Sequence, residues 1–250
     1  MSGVHIVTHC FSKTAVQYAV FLRCHLSSIV QNSDKVDVKV SICYTESDTA
    51  VVEIMDEFQD LLGKRLEHVR LTPGELFRRA IGRNRVALTT DADLVWHCDV
   101  DHVMGPGCLT HLWRVWSSWR LSNQPEAQKP ILYWPGEIQI HKDHSTGDKF
   151  WQSHVNFKGL VSVNPREFVS KTYYKAIGGI QIVDGDYSRA NGYLADQLKW
   201  LVPTDGDKPF PEFRDDCKFR NCCANRGKID RIDLPNLYRL RHSVVTYRGR

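Results

Sequence analysis

The sequence lacks several features that would assign it at once to a common class of protein. Its apolar stretches fall far short of the ~20 residues that a membrane-spanning helix needs, and its first residues lack the basic and apolar segments of a secretory signal. The 250 residues contain no internal repeat and no low-complexity segment. We therefore expect a soluble, cytoplasmic chain without a membrane span, folded as one compact unit.

A strong excess of one charge is also missing. Lys and Arg total 33 and Asp and Glu total 29, which gives a net charge of +4 and does not by itself indicate a nucleic-acid partner. The eight cysteines include no CxxC pair, and the "CKFRNCC" cluster from Cys217 to Cys223 has poor spacing for zinc. We expect free thiols rather than disulfides. The hydrophobic content of 42% is enough for a full core.

Strands and helices alternate along the first half of the chain. The hydrophobic pattern predicts strands at 4–8, 36–43, 66–71 and 93–98, and helices at 12–30, 49–63, 73–90 and 105–121. This alternation with short links predicts a largely parallel sheet covered by helices. Beyond about residue 125 the pattern is less regular, beginning with a strand-like stretch at 131–140 that turns at Pro135–Gly136.

The fourth predicted strand ends in two carboxylates, Asp99 and Asp101, within "HCDVDHV". Two such groups one residue apart repel each other, so a positive charge is expected beside them. In an extended segment residues i and i+2 point to the same side, and ligands of α/β sheets bind beyond the carboxyl ends of the strands. The pair therefore predicts a Mg²⁺ or Mn²⁺ site that also accepts substrate phosphates. In the alternative interpretation, Asp101 caps the next helix and Asp99 is solvated.

The stretch "RNRVALTTDADLVWHCDVD", from Arg83 to Asp101, resembles the core of GT-A fold glycosyltransferases, particularly the family 2-like group. The likeness lies in the Arg83–Asn84 pair, the apolar strand and the Asp99–Val100–Asp101 motif. The break before the strand lacks the usual Gly. The resemblance implies an α/β fold of GT-A type, with a Rossmann-like, mostly parallel sheet flanked by helices. It also implies a nucleotide-sugar-binding half over about residues 1–125 and an irregular acceptor-binding half over about 126–250.

The resemblance further implies a nucleoside-diphosphate sugar donor, with a UDP-sugar favoured, and Mn²⁺ (or Mg²⁺) held by Asp99 and Asp101 beside Val100. By position alone it places the base and ribose over the ends of the first two strands. It also directs Arg83 and Asn84 towards the nucleotide. The residues expected at the two strand ends are Thr8, His9, Cys10, Tyr44 and Glu46.

Late in the chain, "LYRLRHSVVTYRGR" contains His242, which the resemblance offers as a further metal ligand. An exposed tail is the alternative interpretation of that histidine. Arg239, Arg241 and Arg248 are candidates for neutralising a leaving diphosphate, because arginine pairs with phosphate in a bidentate manner.

An inverting transferase needs a general base to take the proton of an acceptor hydroxyl. "FRDDCKFR", at 213–220, resembles the acidic pair of the family, which makes Asp216 the expected base and Asp215 the residue that orients it or binds acceptor hydroxyls. The alternative is that both acids only favour a helix N-terminus. Gly178–Gly179 lies much further upstream than in the family, and the residues between supply rival carboxylates: Asp184, Asp186 and Asp196, with Asp186 as the next candidate.

The base assignment and the resemblance thus imply a metal-dependent, inverting glycosyltransferase that moves a sugar to a hydroxyl of a glycan or glycoconjugate acceptor. Two other classes stay open. One is a phosphohydrolase of the haloacid dehalogenase type, in which Asp99 would be a nucleophile. That motif normally lies on the first strand, whereas three predicted strands precede it here. The other is a non-catalytic carbohydrate-binding scaffold, which would lack the metal pair or the base.

Overall fold

The computed structural model describes residues 3–241 except for 12–17, 34, 123–124, 126–128, 144–146, 157–158, 198, 200 and 204–214. Up to Asp99 the elements follow the predicted alternation. They are β1 (Val4–His9), α1 (Tyr18–Asn32), β2 (Val38–Tyr44), α2 (Thr49–Leu62), β3 (Leu66–Arg70), α3 (Pro73–Leu76), α4 (Arg79–Thr89) and β4 (Leu94–Asp99).

The remaining elements complete one large sheet and build a small second one. They are β5 (His102–Met104), α5 (Cys108–Arg120), β6 (Pro130–Pro135), β7 (Glu137–His141), α6 (Gly147–His154), β8 (Phe168–Thr172), β9 (Ile180–Asp184), α7 (Gly185–Asn191), α8 (Asp215–Arg226), β10 (Lys228–Ile232) and β11 (Leu237–Arg239).

The large sheet has the strand order β10-β6-β9-β4-β1-β2-β3. β1 is paired in parallel with β2 on one side and β4 on the other, and β9 runs antiparallel to both of its neighbours. The small sheet has the order β5-β11-β7-β8 and begins directly after the β4 turn. The predicted fold class is confirmed: an α/β fold with a mostly parallel central sheet flanked by helices.

The core lies on both faces of the parallel strands. All six residues of β1 are buried, as expected for a strand covered by helices on both faces. α2 shows how a helix covers this sheet: its buried residues fall at helical spacing, and the Asp48 side chain caps its first turn. Each fully buried aliphatic side chain contributes about 1.5–3 kcal/mol. The buried residues of α2 are Val51, Ile54, Met55, Phe58 and Leu62.

Two predicted boundaries were wrong. The single helix predicted from Pro73 to about Thr90 is two helices, because Thr72 and Glu75 form a capping box around a short first helix and Arg78 then leaves the helical region at φ −102°, ψ 79°. The restart places Arg79 at the first position of α4. The helix predicted from residue 105 begins at Cys108, since Gly107 precedes it in the left-handed conformation with φ 79°.

Three further sequence expectations concern membrane spans, the cysteines and the turn at Pro135–Gly136. None of their helices combines the length and apolar character needed to cross a bilayer. All eight cysteines are free thiols. The predicted turn at Pro135–Gly136 separates β6 from β7, which belong to different sheets.

Candidate active site

A pocket of about 310 Å³ opens at the carboxyl edge of the parallel strands. Asp99, Val100 and Asp101 line it from the end of β4, and His9 lines it from the end of β1. The other walls carry two aromatic and two basic side chains, which are Phe11, Tyr18, Arg79 and Arg239. The position agrees with the edge where ligands of such sheets bind.

The two carboxylates reach this pocket by a different geometry from the one predicted. β4 ends at Asp99, and Val100 and Asp101 form a turn, so the extended i, i+2 geometry does not apply. The turn is held from the small sheet, because the Leu240 amide donates to the Asp101 carbonyl at 2.8 Å. The carboxylates nevertheless line one pocket.

Arginines provide the positive charge expected beside the pair. Arg79 Nη1 lies 3.1 Å from Asp99 Oδ1, and Arg239 Nε donates to Asp101 Oδ2 at 2.8 Å. The negative charge of Asp101 raises the pKa of Arg239 above its usual range. Asp101 is buried, whereas the Asp99 side chain is 33% exposed. Loss of Arg239 would remove the cation that compensates the buried Asp101 carboxylate.

The described residues supply two of the carboxylate ligands that a divalent metal would use, but no third protein ligand. Two carboxylates that face one pocket match the usual Mg²⁺ arrangement of one or two protein carboxylates completed by substrate phosphates and water. Within the described ranges, no group of three or more His, Cys, Asp or Glu side chains is arranged to hold a metal. The proposed third ligand, His242, lies outside the described residues.

Gly178 and Gly179 lie against one acid of α8, Asp216, and against Asp99. A Cβ at Gly179 would lie 2.5 Å from Asp99 Cγ, and one at Gly178 would lie 3.2 Å from Asp216 Oδ2 and 3.4 Å from Arg79 Nη2. The side chains of Asp99 and Asp216 therefore both lie against this glycine pair. The large sequence separation between the glycines and the acidic pair is closed by the fold.

The two acids of α8 have different surroundings. Asp215 is only 1% exposed, and its Oδ1 accepts from the Asp216 amide at 2.9 Å. Asp216 is half-buried and lies beside Gly178 and Arg79. Both acids occupy the first turn of the helix, so the favourable interaction with the helix dipole applies to either interpretation of them.

Of the three residues predicted after the first strand, one lines the pocket. Thr8 Oγ1 is buried and lies 3.1 Å from His25 Nε2, and Cys10 is also buried. His9 lines the pocket, and within the described residues neither of its ring nitrogens has a hydrogen-bond partner. Burial, together with the charges of Arg83 and Arg79, holds the pKa of His9 well below 6.5. His9 is therefore a neutral imidazole whose two ring nitrogens are buried within the pocket wall.

The predicted residues of the second strand lie outside the pocket lining. Tyr44 is buried and its hydroxyl is 2.9 Å from His68 Nδ1. Glu46 is exposed and pairs with Arg70 at 3.0 Å. Their proposed contact with the base or ribose stays a prediction.

Arg83 and Asn84 do not line the pocket, and here the structure departs from the expectation. Arg83 is 1% exposed and donates to the Tyr193 hydroxyl at 2.9 Å and to the Gly178 carbonyl at 2.8 Å. Asn84 Oδ1 accepts from the Tyr193 amide at 2.9 Å. Both side chains bond Tyr193, which follows β9, and Arg83 also bonds the Gly178 carbonyl just before that strand, so they compensate buried polar groups there.

The rival carboxylates lie away from Asp99. Asp184 pairs with Leu94, at the opposite end of β4 from Asp99. Asp186 follows it and binds Arg120 at 2.7 Å and also Arg189. Asp196 pairs with Arg226 at 2.8 Å. The geometry thus removes Asp186 as the next candidate for the base.

Of the late arginines, Arg239 lines the pocket, Arg241 donates to the Lys142 carbonyl at 3.1 Å, and Arg248 lies outside the described residues. Sequence reasoning missed Arg79, Phe11 and Tyr18. A signal for Arg79 was present, because it precedes Arg83 by one helical turn and so lies on the same face of α4. Neither aromatic residue carried a comparable signal.

Three comparisons with known proteins bear on this fold. No protein-family profile matches the sequence, and no curated protein matches it significantly. Among solved structures, TarS 1–349 of S. aureus superposes with a TM-score of 0.57 at 12% identity, over 95% of this chain and 60% of that one. This likeness shows that the fold is that of the GT-A glycosyltransferases.

Two further structures of TarS 1–349 match equally well. The complex with UDP superposes with a TM-score of 0.56 at 10% identity, over 94% of this chain and 60% of that one. The complex with UDP-GlcNAc has a TM-score of 0.56 at 12% identity, over 94% of this chain and 58% of that one. The present chain therefore spans about three fifths of the length of the TarS chains that it matches.

Proposed function

We propose that this chain is a metal-dependent, inverting glycosyltransferase. It transfers a sugar from a nucleoside-diphosphate sugar, with a UDP-sugar favoured, to a hydroxyl group of a glycan or glycoconjugate. The observation that carries the proposal is that Asp99, Asp101 and Arg79 line one pocket, while Asp216 lies against the same glycine pair as Asp99. The fold, shared with a protein solved in complex with UDP and with UDP-GlcNAc, supports the choice of donor.

The reaction follows from the charges around the pocket. Asp216 takes the proton of the acceptor hydroxyl while that oxygen forms a bond to the anomeric carbon of the sugar. The bond between this carbon and the diphosphate oxygen breaks, and the nucleoside diphosphate leaves with the electron pair. Attack opposite the leaving group inverts the anomeric configuration.

The leaving diphosphate gains negative charge, and the pocket holds positive charge in place before the reaction. Arg79 and Arg239 line the walls and are themselves fixed by Asp99 and Asp101. Preorganised donors of this kind stabilise developing charge more effectively than water does. A bound Mn²⁺ or Mg²⁺, held by the two carboxylates, would supply Lewis-acid stabilisation of the same charge.

His9 completes the donor side of this proposal. Its ring is neutral and both ring nitrogens are buried, so it contributes an uncharged ring face to the pocket wall. The neighbouring Phe11 ring, which packs against Tyr18 at 5.3 Å, offers an apolar face at the same pocket.

Thermal unfolding with UDP, GDP and dTDP, each with and without Mn²⁺, tests the proposal. At 100 times Kd a ligand of the native state adds about 2.7 kcal/mol, and for a domain of this size each kcal/mol raises Tm by about 2–4 °C. We expect the largest rise with UDP plus Mn²⁺, and a smaller one for the Asp99→Asn variant. Absence of a shift with every diphosphate would overturn the proposal and return attention to the phosphohydrolase and scaffold alternatives.

A further inference from the structure

A chain of buried hydrogen bonds runs beneath the candidate active site. Arg83 Nη1 lies 2.9 Å from the Tyr193 hydroxyl, which lies 3.2 Å from Gln181 Oε1. Gln181 Nε2 in turn lies 2.9 Å from the backbone carbonyl of Asp216. The side chains of Arg83, Gln181 and Tyr193 are at most 1% exposed, so water cannot replace these contacts.

The direction of every bond in this chain is determined by its first member. A guanidinium can only donate, so the Tyr193 hydroxyl accepts from Arg83 and must use its own proton to donate to Gln181. That fixes the Gln181 amide with its oxygen towards Tyr193 and its NH₂ towards the Asp216 carbonyl. Burial raises the pKa of Tyr193, which keeps the hydroxyl proton in place.

The other end of this hydrogen-bond network reaches Asp99, the carboxylate proposed to bind the metal. Arg83 Nη2 donates to the Gly178 carbonyl at 2.8 Å and lies 3.7 Å from Asp99 Oδ1. Burial opposes the charge of Arg83, but Tyr193, Asp215 and Asp99 outweigh this effect and raise its pKa. The Arg83 side chain therefore lies near Asp99 and is also hydrogen-bonded to Tyr193, the first member of the network that ends at Asp216.

Aromatic packing keeps Tyr193 in register with α8. Its ring stacks on Phe219 with centroids 4.1 Å apart, and His97 of β4 contacts it edge-on at 4.7 Å. A third tie runs from Arg220 of α8 to the Ala176 carbonyl at 2.8 Å, just before the glycine pair. The first two turns of α8 are thus held to β4 and to residues 176–181 through Tyr193, Gln181 and Arg220.

We propose that Tyr193 and Gln181 are positioning residues, which set the place of Asp216 relative to Asp99. The inference rests on the proposed function, because Asp216 is the base of that reaction. Neither residue lines the pocket, and both are fully buried. Their effect is exerted through the backbone of α8, where a displacement of about 1 Å is enough to reduce turnover about a hundredfold.

The test is Tyr193→Phe, which preserves the buried ring and removes only the hydroxyl. The matched control is Tyr187→Phe, because the Tyr187 hydroxyl bonds Cys223 near the other end of α8. Three quantities are measured for each variant: the dissociation constant of UDP, kcat for UDP release from UDP-GlcNAc and other UDP-sugars, and amide hydrogen exchange over 215–219.

We expect Tyr193→Phe to lower kcat about ten- to hundredfold, to leave the UDP dissociation constant within about twofold, and to speed exchange at 215–219. Tyr187→Phe should keep kcat and the exchange rates at 215–219 unchanged. An unchanged kcat in Tyr193→Phe would overturn the inference, as would a parallel loss of UDP affinity and kcat.

Failure of the proposed function gives a different result. If the unmodified protein neither binds UDP nor releases it from any UDP-sugar, the glycosyltransferase proposal fails, and the exchange experiment alone decides the positioning role. Faster exchange at 215–219 in Tyr193→Phe than in Tyr187→Phe supports the tie between Tyr193 and α8. Equal rates in the two variants overturn it.

Discussion

The two halves of the molecule contribute to the candidate site in opposite ways. In the first half, β1 and β4 are adjacent parallel strands, and His9 and Asp99 are register partners at their carboxyl ends. In the second half, the contributing residues come from three separate segments: the Gly178–Gly179 pair, the start of α8 and the end of β11. The first half places its side chains by strand register, and the second half places them by individual contacts.

Those contacts cross between the halves. Asp101 of the first half is matched by Arg239, which lies 138 residues later in the chain. Arg83 of the first half holds Tyr193, 110 residues later. The buried groups Asp101 and Arg83 thus each have a hydrogen-bond partner in the other half, so the assembly of the second half depends in part on these first-half residues.

Asp216→Asn and Asp101→Asn should distinguish the base supplied by the second half from the diphosphate site supplied by the first half, and we expect the largest effects from these two variants. Asp216→Asn preserves shape but removes a base, and we expect turnover to fall about 10²–10⁴-fold with UDP affinity unchanged. Asp101→Asn acts on the diphosphate side and should weaken UDP binding as well as turnover. UDP titration calorimetry and UDP-release kinetics measure both quantities.

Asp196→Asn is the control for these variants, because its carboxylate pairs with Arg226 on the surface and surface pairs contribute little. Turnover by Asp216→Asn at the level of the unmodified protein would remove this residue from the role of base. A retained anomeric configuration in the product would do the same.

Substitution of the glycine pair tests where the halves meet. In Gly179→Ala the new Cβ would lie 2.5 Å from Asp99 Cγ and 2.8 Å from its Cβ, so the whole Asp99 side chain must move and not only its carboxylate end. Gly178→Ala meets Asp216 Oδ2 at 3.2 Å, which a small adjustment relieves. We expect Gly179→Ala to weaken UDP binding about tenfold or more, an energy of about 1.4 kcal/mol.

Gly178→Ala is the matched variant, and its loss should be smaller and confined to kcat. Dissociation constants for UDP with Mn²⁺, measured for both variants, make the comparison. Equal UDP affinity in the two variants would contradict the assignment of Gly179 to the donor side.

The same contrast explains how much could be predicted from the sequence. The apolar period of β1 to β4 and the short links between elements predict the parallel sheet, and the edge rule then predicts where Asp99 and Asp101 lie. Arg83 and Asn84 were placed at the nucleotide from resemblance alone, and nothing in the local sequence indicated that Tyr193 would take their hydrogen bonds.

The second half could not be predicted in this detail, for a physical reason. The proximity of Gly178 to Asp216 depends on β9 inserting antiparallel between β4 and β6. The hydrophobic pattern of a strand does not indicate which other strands it will pair with. The choice among Asp184, Asp186 and Asp216 depended on that topology.

Acid sensitivity should be concentrated in the first half. Among the described residues, every histidine with a lowered pKa precedes β5, and burial is the main cause in each: His5, His9, His25, His68 and His97. The unfolded chain binds protons on these rings below about pH 6.5, whereas the folded rings stay neutral to lower pH, about 4 for His5 and His25. The unfolded state then binds more protons, so stability falls as the pH drops below 6.5.

Urea denaturation at pH 7.5 and 5.5 measures this effect. Each fully buried histidine should remove up to about 1.4 kcal/mol of unfolding free energy per pH unit below its unfolded pKa. His97→Leu, which removes one of these rings, should flatten the dependence by about one proton. An unfolding free energy that does not fall between pH 7.5 and 5.5 would show that these rings are protonated in the folded state, and the buried imidazoles of the first half would then not be neutral.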